Sequence, residues 1–187
     1  MSKVITFSRT FPAYHPRKCE QTNFVEKIHW WFWDNAKHGY ASAYDMILDL
    51  NKDVPKQIIK DFIDSLDCDG FYKGIEKNQT IRAGNRWKVG DWFSPRVWSG
   101  QPYNSKQIII APDIEIKKVW NIEIDLVDQY EGVYIVTESG EIAINEEELS
   151  KNDGLTVNDF YDWFDTPKNR KQVFKGQIIC WNENIEY

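Results

Sequence analysis

Positive charge is in short supply in this chain: 23 Lys and Arg stand against 29 Asp and Glu over 187 residues, a net charge of -6 near neutral pH. Proteins that coat nucleic acid through bulk electrostatics need a strongly basic surface. That class is excluded, and any nucleic-acid contact has to be local. Apolar runs are short as well. None approaches the roughly 20 residues that span a bilayer, and Met1-Ser2-Lys3-Val4 lacks the apolar core of a signal peptide, so a cytoplasmic protein with no membrane partner is expected. Three cysteines, Cys19, Cys68 and Cys180, are too few and too scattered for a disulfide framework or a zinc motif and are read as reduced structural thiols. His15, His29 and His38 have no metal spacing with the cysteines or with each other. Neither a metal nor a cofactor is expected, and there is no repeat or low-complexity tract.

What the chain does have is enough apolar content, 42% of residues, to bury a full core. Its length fits one domain, 1–187, carrying an elaboration. Val4 to Phe11 alternates as a strand until Pro12 and Pro16 prevent its continuation. Residues 20–76 read as a helical insertion. Phe24, Val25, Ile28, Trp31 and Phe32 form one helix stripe, Ala43 to Leu50 suits a short helix, and Asp53 and Pro55 open a helix whose stripe is Ile58, Ile59, Phe62, Ile63 and Leu66. Asp69-Gly70 closes the insertion.

Strands dominate from Gln79 to about Ile144: Gln107 to Ala111, Glu115 to Ile124, and the pair Val133 to Thr137 and Glu141 to Ile144 around a Ser139-Gly140 hairpin signal. The acidic run Glu146-Glu147-Glu148 reads as a solvated turn or helix start. Thr156 with Asp159 resembles a capping box opening a helix through Phe164, and Gln177 to Trp181 supplies the last strand. The pattern is an α+β fold with mostly antiparallel strands.

The densest chemistry lies in Lys77-Asn78-Gln79-Thr80-Ile81-Arg82, followed by Ala83-Gly84-Asn85-Arg86-Trp87 and Gly90-Asp91. On an extended segment Thr80 and Arg82 point to one face and Ile81 to the other. A bend at Asn78-Gln79 brings the Lys77 ammonium beside them, which suits an anionic or carbonyl-bearing ligand. The bland alternative is a solvated basic strand edge.

Ile5-Thr6-Phe7 with Phe11 close behind, Lys77-x-x-Thr80-Ile81-Arg82, and Asp153 shortly before Leu155-Thr156 together resemble the ASCH domain of the PUA-like superfamily, in particular the small bacterial amidohydrolases that deacetylate acetylcytidine. The resemblance implies a PUA-like, mostly antiparallel β-barrel with peripheral helices, interrupted after its first strand by the helical insertion. It implies catalytic roles for Lys77, Thr80 and Asp153: Thr80 as nucleophile, neutral Lys77 as its base, and Asp153 as general acid in place of the family's glutamate. Arg82 or backbone N–H groups near Gly84 would hold the oxyanion. As a loop acid preceding a helix N-terminus, Asp153 also has a purely structural reading.

Nine tryptophans are many for this length, and Trp87, Trp92, Trp98 and Tyr103 fall close after the motif. Flat rings beside cations can hold a base, although strand tryptophans are more often core. Arg86, Lys88, Arg96 and Lys106 add a basic belt. The ligand-binding set is therefore Arg82, Asn85, Arg86, Trp87, Trp98 and Tyr103, and the expected function is binding of a nucleoside, nucleotide or RNA segment. The alternatives are an amidohydrolase acting on an acylated cytidine-like nucleoside and a protein-interaction module of phage or mobile-element type. Trp30-Trp31-Phe32-Trp33 cannot all share one helix face, so the insertion also offers a surface for a dimer or a partner protein.

Overall fold

The computed structural model describes residues 2–35, 39–66, 76–127 and 132–187, apart from the side chains of residues 34 and 35. In chain order the elements are β1 (Lys3–Thr6), α1 (Phe24–Asn35), α2 (Ala43–Leu50), α3 (Lys56–Asp64), β2 (Gln79–Ala83), β3 (Trp92–Trp98), β4 (Gln107–Ile109), β5 (Ile114–Glu115), β6 (Lys118–Asp125), β7 (Gly132–Thr137), β8 (Gly140–Ala143), α4 (Glu146–Asn152), α5 (Val157–Phe164) and β9 (Phe174–Cys180). This is an α+β fold whose strands form two sheets, and among the described residues neither sheet closes into a barrel. The chain divides into two compact units, each drawn from separated segments.

The first unit comprises Met1–Thr10, Gln21–Glu76 and Trp92–Ile114. Its sheet runs β1-β3-β4, with β5 also on β3; β1 and β3 pair in parallel and β3 and β4 antiparallel. The opening strand is shorter than the Val4 to Phe11 expected, because after Thr6 the backbone leaves the ladder and Thr10 makes only an isolated bridge to Gln21. Helix α1 buries Phe24, Val25, Ile28 and Phe32, the stripe set by the 3.6-residue period, while Trp31 stays half-buried. In α3 the cap is Pro55 rather than Asp53, with no side-chain hydrogen bond, and only Ile59 and Phe62 of the expected stripe are fully buried. Cys68, His38 and Asp69-Gly70 lie outside the described residues.

Two buried polar side chains tie these helices to the backbone at and just beyond the end of β4. Asn51, at the end of α2, donates from Nδ2 to Ile109 O at 2.8 Å and accepts from Ile109 N at 2.8 Å, so it pairs with the edge of β4 as a strand residue would. It also closes α2 through Ile47 O at 2.7 Å. His29 on α1 places Nε2 2.7 Å from Ile110 O, and burial pushes its pKa below the ordinary 6.5.

The second unit comprises Phe11–Glu20, Lys77–Asp91 and Glu115–Tyr187. Its sheet is ordered β2-β9-β6-β7-β8, antiparallel throughout. The last strand therefore sits between β2 and β6. Ile81, Ile122, Ile124, Ile135 and Ile178 pack on Leu149, Phe160 and Phe164 of α4 and α5. The β7–β8 turn is fastened by Thr137 Oγ1, which donates to Gly140 O at 2.9 Å. Thr156 caps α5 by accepting from Asp159 N at 3.1 Å, but the Asp159 carboxylate accepts from Arg17 Nη1 at 2.8 Å instead of returning to the cap. The loop 11–20 is further held to α5 by His15 Nε2 at 3.3 Å from Asp159 O and by the Phe11 ring edge-on to Trp163 at 5.9 Å. Cys180 is buried, and desolvation lifts its thiol to about 11; Cys19 is exposed, and both are free thiols.

A His29 pKa lower in the folded than in the unfolded chain means that the unfolded state binds more protons between the two values. Stability is then fully present above pH 6.5, the unfolded value, and falls as pH drops toward the folded one. The loss has a slope of at most about 1.4 kcal/mol per pH unit for one proton. Urea unfolding of the parent and His29→Gln proteins between about pH 7 and pH 5 is expected to show a stability difference that shrinks on acidification. Parallel curves would show that His29 is not the titrating group.

Candidate functional site

The residues singled out around Lys77 assemble at one end of the second unit, where the lead into β2 meets the end of α4. Helix α4 begins at the Asn145 cap, whose Oδ1 accepts from Glu147 N at 3.0 Å and Glu148 N at 3.1 Å, and the three glutamates fall in the first turn, where their charge suits the helix dipole. The helix closes on a left-handed Gly154 at φ 76°. Gly154 N donates to Lys151 O at 2.9 Å and Leu155 N to Ser150 O at 2.9 Å, a Schellman pattern. Asp153 is thus the C-cap of α4, three residues before the α5 cap, rather than only a loop acid facing a helix N-terminus.

A carboxylate at a helix C-terminus meets the negative end of the dipole and a set of carbonyls lacking helical partners. Lys77 and Asn78 offset both. Lys77 Nζ donates to Asp153 Oδ1 at 2.8 Å and to the Asp153 carbonyl at 2.5 Å, and Asn78 N donates to Asn152 O at 2.9 Å. Lys77 is only 1% exposed and Asp153 6%. The pairing continues through Gln79, which donates to Leu149 O at 3.1 Å and accepts from Tyr187 Oη at 2.7 Å, while Tyr187 Oη accepts from Asn152 at 2.8 Å. Burial raises the Tyr187 phenol above its ordinary range, so it acts here as a neutral donor.

Thr80 and Arg82 lie on the sheet face opposite Ile81 and the α4–α5 core. Thr80 is 5% exposed and faces Ile179 across the ladder. Arg82 faces Gln177, which in turn faces Asn121. A polar row therefore crosses three strands on that face. Gln177 holds the backbone of Trp87, accepting from Trp87 N at 3.0 Å and donating to Trp87 O at 3.3 Å. Gly176 makes the close strand approach feasible, since a Cβ there would stand 2.5 Å from Arg82 O. Desolvation pushes the Arg82 pKa below arginine's ordinary value; Asp153 pulls it back up and Arg86 pushes it further down.

The remaining candidates divide between the two units. Asn85 and Arg86 are exposed beyond the left-handed Gly84, the Arg86 guanidinium lies 5.3 Å over the Trp87 ring, and Trp87 itself is buried. Trp98 and Tyr103 belong to the first unit, at the β3–β4 connection, with ring centroids 5.3 Å apart and Tyr103 89% exposed on a positive φ of 66°. Trp98 also lines a cavity of about 310 Å³ with Phe7, Arg9, Thr10, Gln21 and Pro102. The belt divides likewise: Arg86 and Lys88 belong to the second unit, Arg96 and Lys106 to the first.

Gln177, Asn121 and Arg9 were not singled out by sequence. A signal existed for Gln177, which stands beside the apolar run Ile178-Ile179-Cys180 and is buried. No group of three or more His, Cys, Asp or Glu among the described residues is placed to hold a metal, and no described helix is long and apolar enough to cross a membrane. Comparison with family models, with curated proteins and with solved structures finds no match to this chain.

A buried ion pair stripped of one partner leaves a desolvated charge, at a cost of about 3 to 5 kcal/mol. Lys77→Met and Asp153→Leu are each expected to destabilise the protein by that order in urea unfolding, whereas the double replacement recovers most of the loss. Additive losses in the double variant would show that the two side chains do not act as a pair.

Proposed function

We propose that this chain binds a nucleoside, nucleotide or RNA segment, and that its sheets are parts of a PUA-like, ASCH-type fold whose binding cations are Lys77, Arg82 and Arg86. The observation that carries the reading is the setting of Arg82. Its guanidinium is desolvated, the carboxylate of Asp153, itself bonded to Lys77, raises its pKa, and the like charge of Arg86 lowers it. Lys77 bonded to Asp153, Arg82 in electrostatic reach of the same carboxylate and Arg86 beside Arg82 gather three cations in an otherwise acidic protein. A phosphate or a base carbonyl brought there would gain from charge-assisted hydrogen bonds in a site partly shielded from water. Arg86 stacked on Trp87, and in the other unit the exposed Tyr103 beside Trp98, are side-chain types that suit bases.

Binding is preferred to hydrolysis because of what Lys77 is bonded to. A base must offer a lone pair to the Thr80 hydroxyl, whereas Lys77 directs two N–H groups at Asp153, a carboxylate whose charge favours the ammonium form. The second reading, an amidohydrolase acting on an acylated cytidine-like nucleoside, draws on the same proximity, since it needs a lysine and an acid side by side near a threonine.

Arg86 is exposed and Arg82 is not, so the two separate binding from folding. Arg86→Ala is expected to leave the unfolding transition unchanged, to weaken a single-stranded oligoribonucleotide by about tenfold, and to lower the salt slope by about 0.7 for one lost phosphate contact. Arg82→Ala is expected to weaken binding at least as much. Calorimetric titration at two salt concentrations measures both. Undiminished affinity in both variants would move the site elsewhere, and acetylcytidine deacetylation by the parent protein that is lost in Lys77→Met would establish the enzyme instead.

A further inference from the structure

Helix α1 has two apolar stripes, and the fold uses them differently. Phe24, Val25, Ile28 and Phe32 face the core. Glu26, His29, Trp30 and Trp33, spaced i, i+3, i+4, i+7, make a second stripe, and all four line a cavity of about 390 Å³ completed by residues of α2 and α3 and the Ser42 cap. Tyr44 and Ile47 of α2 share the lining, with Ile63 and Leu66 at the α3 end. The volume lies within the range of about 300 to 1,000 Å³ that holds small molecules. Every described lining residue belongs to the first compact unit.

The described lining of this space carries charge of one sign. Among the described residues its lining holds a carboxylate, Glu26, and no lysine or arginine. His29 adds no positive charge at neutral pH: its Nε2 is 2.7 Å from Ile110 O and burial disfavours its protonation. Ser42 is engaged as the α2 cap, donating to Asp45 Oδ2 at 2.7 Å and accepting from Asp45 N at 3.1 Å. Arg9 is in electrostatic reach of Glu26. It is bonded to Ser65 Oγ at 2.6 Å, lies 5.1 Å over the Phe62 ring and is not part of the lining.

Three aromatic rings with a carboxylate and without a cation form the environment that recognises methylated ammonium groups, where the ring faces supply the attraction and the walls exclude water. We propose that the cavity between α1, α2 and α3 is a binding site for a small organic cation bearing a methylated ammonium headgroup, held by the faces of Trp30, Trp33 and Tyr44 with Glu26 as its counter-charge. A primary ammonium keeps too strong a hydration shell to enter such a lining. Among the described lining residues the charge an inorganic anion meets is Glu26, which repels it. This site lies in other residues and another unit than the proposed nucleic-acid site, so each can fail alone.

The test uses the intact chain and two probes of matched shape, choline and its uncharged isostere 3,3-dimethylbutan-1-ol. Binding is followed through the indole N–H signals of Trp30 and Trp33, assigned with single Trp→Phe variants. Choline is expected to shift those signals with millimolar or tighter affinity and to bind at least about tenfold more tightly than the alcohol, the factor a desolvated cation–π contact supplies. Glu26→Gln is expected to weaken choline severalfold and leave the alcohol unchanged, while Trp30→Leu weakens choline by about tenfold or more. Equal binding of the two probes would reduce the site to a hydrophobic hollow and overturn the proposal. Absence of any choline-induced shift at these indoles would overturn it too, and both outcomes are read on the parent protein.

Discussion

Lys77 and Asp153 are 76 residues apart in sequence, yet the ammonium of one reaches both the carboxylate and the carbonyl of the other in the interior of the second unit. An unpaired charge at that depth would cost several kcal/mol. Each residue offsets the buried charge of the other, which ties the end of α4 to the lead into β2. That constraint propagates. Asn78 follows Lys77 onto the α4 carbonyls, and Gln79 and Tyr187 complete the set through Leu149 and Asn152. The register of β2 on β9 begins one residue later, at Gln79 against Cys180. A shift of β2 by one residue would withdraw Lys77 from Asp153 and expose Ile81 on the wrong face.

With the register fixed, alternation decides what the other face of the sheet presents. Ile81, Ile178 and Ile122 turn to the helices, which leaves Arg82, Gln177 and Asn121 in a row on the opposite side. Gln177 is the hinge of this row. By bonding both the N–H and the carbonyl of Trp87 it fixes the segment that follows β2, and with it the place of Arg86 over the indole ring. The gathering of Lys77, Arg82 and Arg86 is therefore a product of strand pairing and of one buried amide side chain. It does not come from a local run of basic residues.

Much of this was legible in the sequence where a residue's own chemistry dictates its place. The core stripe of α1, the short α2, the Thr156 cap and the hairpin at Ser139-Gly140 follow from period, cap chemistry and turn chemistry. The α+β class followed from the same signals. Other features depend on partners far along the chain and could not be read locally. Asp53 has the chemistry of a cap, but Pro55 already sets the backbone at the helix start. Asp159 has the spacing of a capping-box acid, but Arg17 takes its carboxylate. Asp153 was found by resemblance, whereas its position as the C-cap of α4 depends on the Gly154 turn and on Lys77. The parallel pairing of β1 with β3, separated by three helices and β2, has no local signature at all.

The aromatic run Trp30-Trp31-Phe32-Trp33 shows how a local reading can be right about a conflict without resolving it. Four consecutive large rings on a helix cover all of its sides, so burying one stripe leaves another facing outward. Phe32 enters the core with Ile28, and Trp30 and Trp33 turn to the opposite side. Helices α2 and α3 come near enough to line a space against those two rings. Tryptophan left against water at such a site gains nothing from the hydrophobic effect, whereas rings bordering a cavity can gain from whatever enters it. Glu26, one turn ahead of Trp30 on the same stripe, then sets the sign of the charge that an occupant has to carry.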